Sequence, residues 1–197
     1  MSFDTSKRLH NLLLKYRDIF NENKNSSRMK IQGLIRITDD YYKLSIVAST
    51  IWKDNIQNYF ENNNNNLKDR AIVGAFGIYT NGNICLQATK GLNKHFIENF
   101  KNKNKFIAEL NKIRNEYIKF VKKFTDNRNI ITSHPFRERE LDQYVIPTGI
   151  DQQTLLFDLF DLNNSFLEQK LELNSDITKL GAYLDKLISV YQKLLDL

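Results

Sequence analysis

Residues 106–136 read FIAELNKIRNEYIKFVKKFTDNRNIITSHPF, and the fold of the chain turns on how this stretch is interpreted. Apolar side chains recur at Phe106, Leu110, Ile113, Tyr117, Phe120 and Phe124, in alternating steps of four and three. That rhythm places them on one face of an α-helix. Continued, it calls for apolar residues at 127, 131 and 134, where the sequence supplies Asn127, Ile131 and His134, with Arg128 beside the stripe. The face that should bury itself therefore turns polar and ionisable over its last two turns. Pro135 disfavours helical geometry at His134 and removes a backbone donor, so the helix is expected to end or kink there. A polar cluster at the end of a buried seam is either satisfied internally or functional.

Working outward, residues 5–21 read as a first helix, with Leu9, Leu12, Leu13, Tyr16, Ile19 and Phe20 at helical spacing. Across 28–60, Leu34, Ile37, Tyr41, Leu44, Ala48 and Ile51 keep a three-four rhythm and favour helix, although Met29 to Ile37 alternates in part. Asn62–Asn66 is a low-complexity loop. Residues 68–98 admit two readings. One is helix, with Gly74, Ala75 and Gly77 permitting close packing. The other is a hairpin on the Asn81-Gly82 turn, which would leave a lone two-stranded ribbon. Helix is favoured. Beyond the central stretch, Pro147-Thr148-Gly149 breaks the chain and Thr154–Leu162 is dense in Leu and Phe. Residues 176–197 carry a broad apolar stripe suited to a bundle or dimer seam, with Ser175 as N-cap. The expectation is an all-α bundle, a single domain over 1–197, with a basic helix over 102–136 and C-terminal helices over 150–197. The alternative is an α+β fold with a small hairpin within 28–90.

Composition narrows the function classes. The 197 residues include 41% hydrophobic and 12% aromatic residues, with two prolines and seven glycines, the profile of a globular chain of long regular elements. The single cysteine, Cys85, excludes an intrachain disulfide framework and any multi-cysteine metal site. The three histidines, His10, His95 and His134, lack the spacing of a zinc site, so no metal or cofactor is expected. His10 and His95 read as structural or exposed, and Cys85 as a buried small apolar side chain. No signal-like or membrane-spanning apolar run is present, which points to a cytoplasmic protein with no membrane partner. The net charge of +6 is uneven: residues 101–139 hold 11 basic and 4 acidic residues, and residues 140–197 hold 4 and 10. A basic segment beside the polar cluster suits a polyanion, RNA in particular, with Lys119, Lys122, Lys123 and Arg137 as phosphate contacts.

The run Arg128-Asn129-Ile130-Ile131-Thr132-Ser133-His134 resembles the signature of the HEPN superfamily. These are small all-helical domains, many of them metal-independent ribonucleases of toxin–antitoxin, abortive-infection and CRISPR systems. The motif is Arg, four to six residues, then His, with Asn, Asp or His favoured directly after Arg. The resemblance covers about a sixth of the chain. It implies that Arg128 and His134 are catalytic, that Asn129 orients one of them, and that two copies pair their motif helices as a homodimer so that both motifs line one cleft. It also implies an antitoxin or another defence-system protein as partner. Some toxins of this type are silenced by modification of a Tyr two residues after the His; Phe136 stands there, which argues against that control.

The residues themselves permit this chemistry. Imidazole titrates near neutral pH and suits proton transfer at a ribose hydroxyl. The permanently charged guanidinium suits a phosphate whose charge rises in the transition state. Six residues correspond to about 240° of helical rotation, so Arg128 and His134 share a site only if the helix breaks before His134 or if two copies contribute. The reading from a different class is a non-catalytic helical module that binds nucleic acid or a protein partner through the basic segment.

Overall fold

A computed structural model describes residues 4–19, 26–99, 104–132, 143–151, 154–161 and 166–195. His134, Pro135, Phe136 and Arg137 lie outside the described residues. Among the described residues, five helices carry the fold: α1 (Asp4–Ile19), α2 (Ser26–Asn62), α3 (Asn65–Asn99), α4 (Asn104–Thr132) and α5 (Leu173–Leu195). The helical bundle expected from the three-four spacing is borne out, and the hairpin considered within 28–90 does not form. Among the described residues, no helix is long and apolar enough to cross a membrane.

The asparagine run shows why α2 and α3 are separate helices rather than one. Asn63 adopts φ 48°, a left-handed conformation that Asn tolerates better than most residues, and its N–H donates to Tyr59 O at 2.7 Å. The Asn64 side chain then accepts from Asn66 N at 3.0 Å and caps α3. The loop expected over 62–66 is therefore a two-residue turn, with its flanking asparagines inside the helices.

Residues 143–172 depart from the expected C-terminal helices. They hold β1 (Gln143–Ile150), β2 (Thr154–Asp161) and β3 (Phe166–Glu172), an antiparallel meander in the order β1-β2-β3. Of the expected helical span 150–197, helix begins only at Leu173. A short run dense in Leu and Phe does not distinguish buried strand from buried helix by periodicity. Pro147, read as a break, instead lies in β1 opposite Phe157, at the edge of the meander, a position that tolerates proline, and the register shifts between Pro147 and Gly149. Asp151 closes the β1–β2 connection, its N–H donating to Thr154 O at 3.1 Å and its carboxylate accepting from Thr154 N at 2.7 Å.

Where one domain is expected, the chain groups into two compact units, and the division falls within α2, α3, α4 and α5. The first unit comprises 1–43, 81–122 and 178–197; the second comprises 44–80 and 123–177. In the first, Leu9, Leu12, Ile31, Ile35, Leu92, Phe96, Leu110, Leu184 and Leu187 are buried. Its core also holds hydrogen-bonded polar side chains. Tyr191 donates to Asn93 Oδ1 at 2.6 Å and stacks on Phe96, and Ser6 donates to the buried Asp39 at 2.5 Å. Arg8 forks onto α5, reaching Asp185 Oδ1 at 2.9 Å and Ser189 Oγ at 2.7 Å. In the second unit, Trp52, Ile56, Ala71, Ala75, Ile78, Phe124, Leu155, Leu171 and Ile177 form the core. Gly74 lets α2 and α3 approach there, since a Cβ would lie 2.7 Å from Trp52 N and 2.9 Å from Ala48 O.

Candidate functional site

The polar end of the α4 stripe belongs to the second unit. Asn127, at the position where an apolar residue is expected, is 6% exposed, and its Nδ2 lies 3.5 Å from both the Tyr79 hydroxyl and Asp176 Oδ2. Tyr79 donates to Asp176 Oδ2 at 2.7 Å. Asp176 is 1% exposed and sits in the first turn of α5, where the helix dipole favours an acid. Lys123 Nζ approaches Asp176 Oδ1 to 3.7 Å and Glu172 Oε2 to 3.6 Å. Asp176 Oδ1 makes no hydrogen bond among the described residues. Burial, and then the Asp176 charge, hold the Tyr79 hydroxyl well above its ordinary pKa, so it remains a donor. The Tyr79 ring packs at 4.9 Å on Phe124, one turn before Arg128. These contacts bind the last turns of α4 to α3 and to the start of α5.

Arg128 follows directly and is half-buried. Its Nη1 donates to Asn129 Oδ1 at 3.0 Å, so the adjacent asparagine holds one arm of the guanidinium fork. Of the candidate catalytic residues, the structure thus brings Arg128 and Asn129 together; His134 and Arg137 lie outside the described residues.

The candidate phosphate contacts divide. Lys119 and Lys122 are exposed, whereas Lys123 is committed to Glu172 and Asp176. His10 is exposed and His95 is half-buried, its pKa lowered by burial. Cys85 is fully buried. Among the described residues, no group of three His, Cys, Asp or Glu side chains is placed to hold a metal ion.

No family model, curated protein or solved structure matches this chain.

Tyr79 and Asp176 escape the sequence reading. Tyr79 closes an apolar run and Asp176 opens the last helical stretch, and neither carries a local mark of a buried polar role. The signal that a partner exists is Asn127, a polar residue on an apolar stripe, but nothing local names a partner 48 or 49 residues away.

Proposed function

We propose that this protein is a metal-independent endoribonuclease of HEPN type, acting in the cytoplasm in a defence or toxin–antitoxin setting. The observation that carries the reading is the Arg128–Asn129 hydrogen bond at the end of α4, in which the residue after the arginine presets the fork. Asn127 is satisfied internally by Tyr79 and Asp176, and this steadies the turn that carries Arg128.

In this mechanism His134 takes the proton from a ribose 2′-hydroxyl, the 2′-oxygen attacks the adjacent phosphorus, and the P–O5′ bond breaks. The products are a 2′,3′-cyclic phosphate and a 5′-hydroxyl, the leaving oxygen being protonated by an imidazolium. Arg128 stabilises the charge that grows on the non-bridging oxygens. Two copies in a homodimer supply two motifs to one cleft, so that one His134 acts as base and the other as acid. An antitoxin or another protein of the same system restrains the activity.

The test is cleavage of end-labelled RNA in EDTA by wild type, His134→Ala and Arg128→Ala. The reading expects loss of about 100-fold or more in each variant with the fold retained. A non-catalytic binder, favoured by the exposure of Lys119 and Lys122, would show no cleavage and unchanged RNA affinity in His134→Ala.

A further inference from the structure

Within the first unit, α4 carries Lys105, Lys112 and Lys119 at seven-residue intervals. Seven residues amount to two turns less about 20°, so the three lysines form a nearly straight row about 21 Å long. All three are exposed, as is Lys122 beside the row, and none of the four takes part in an ion pair among the described residues. The natural neutralising partners of Lys105 and Lys112 are the acids four residues on, Glu109 and Glu116. Both are taken from across the bundle: Lys193 of α5 meets Glu109 at 3.1 Å, and Lys186 of α5 pairs with Glu116 while lying over the Tyr117 ring. Lys119 has Lys123, a like charge, in the equivalent position. The α4–α5 ladder thus engages the only acids on α4 between residues 104 and 122, adds two lysines of its own, and leaves the outer row uncompensated.

We infer that Lys105, Lys112 and Lys119, flanked by Lys122, form a track for the phosphate backbone of single-stranded RNA. This rests on the ribonuclease reading and deepens it by naming where the substrate strand runs. Ammonium groups on flexible stems act as point charges that position a backbone without reading bases. Among the described residues of α4, Ile118 is the only large apolar side chain that is exposed, and no fully exposed aromatic ring accompanies the row, so the track is indifferent to sequence. Lys123, committed to Glu172 and Asp176, is not part of it.

The test is fluorescence anisotropy with a labelled single-stranded RNA across a salt series. It uses full-length protein carrying His134→Ala, so that the probe survives. Lys105→Gln/Lys112→Gln/Lys119→Gln is compared with Lys7→Gln/Lys53→Gln/Lys90→Gln, an equal charge change at exposed positions elsewhere. Thermal melts confirm that both variants fold. At about 0.7 released counterions per single-strand phosphate contact, the track variant should lower the log–log salt slope by about 2, with at least a tenfold loss of affinity, and the control should bind as the parent does. Unchanged binding by the track variant, equal loss in the control, or no binding of single-stranded RNA by the parent overturns the inference. Cleavage in EDTA is scored separately: binding along the track without cleavage refutes the ribonuclease reading alone, and cleavage with track-independent binding refutes the track alone.

Discussion

Tyr79 and Asp176, 97 residues apart in sequence, are joined by a 2.7 Å hydrogen bond inside the second unit, and Asn127 of α4 closes on both. The bond matters because Asp176 is nearly inaccessible and, among the described residues, its second oxygen has only Lys123, at 3.7 Å. A buried carboxylate that loses its donor keeps the desolvation cost without the compensation.

Tyr79→Phe preserves the ring packing on Phe124 and removes only the hydroxyl. It should destabilise the protein by about 1.5–3 kcal/mol in urea denaturation, with the m-value unchanged. Tyr79→Phe combined with Asp176→Leu should cost less than the two changes separately, because the orphaned acceptor is gone.

Two glycines in helices should respond with opposite signs to alanine. At Gly74 a Cβ meets backbone atoms of Trp52 and Ala48 at under 3 Å, so the helices must separate; Gly74→Ala should cost about 1–3 kcal/mol despite its better helix propensity. At Gly33 nothing lies within 4 Å of the added Cβ, so Gly33→Ala should gain about 0.5–1 kcal/mol. Paired thermal melts decide both.

Much of the helical fold is legible in the residues themselves. Gly74, with Ala75 and Gly77, signals close helix approach, and the Leu110, Ile113 and Phe124 positions of the α4 stripe are buried as spaced. The meander is not legible, because Thr154–Asp161 lacks both the 3.6-residue period and a clear alternation, and its pairing with β1 and β3 is set by neighbours in space. The candidate site is half legible: Arg128 and Asn129 announce themselves by type and order, while Lys123 reads as a ligand contact and is occupied by Glu172 and Asp176. Ion pairing of that kind depends on tertiary placement and leaves no mark on a linear charge count.

Cys85 is fully buried, and burial pushes its thiol well above the ordinary value, with Asp39 adding to the shift. The native protein should therefore resist a thiol-specific disulfide reagent at pH 8, and react at one equivalent once unfolded in guanidinium. Rapid native labelling would contradict the packing of the first unit.

His95 has its pKa lowered in the fold, first by burial and then by Lys30, against an opposing pull from Glu98. Because the neutral form is favoured in the folded state, its contribution to stability is intact above about pH 6.5, the unfolded value. It is lost as the pH falls from there through the lowered folded value. Urea midpoints for wild type and His95→Gln across pH 5–8 should converge towards the acid end, and NMR titration of His95 should give a midpoint below the unfolded value.

The most direct measurement is the chemistry of the ends that this protein leaves on RNA in the presence of EDTA. A 2′,3′-cyclic phosphate and a 5′-hydroxyl, absent with His134→Ala, are the predicted result and identify attack by the ribose hydroxyl assisted by imidazole. No cleavage, or 5′-phosphate ends formed only when divalent metal is restored, would contradict it.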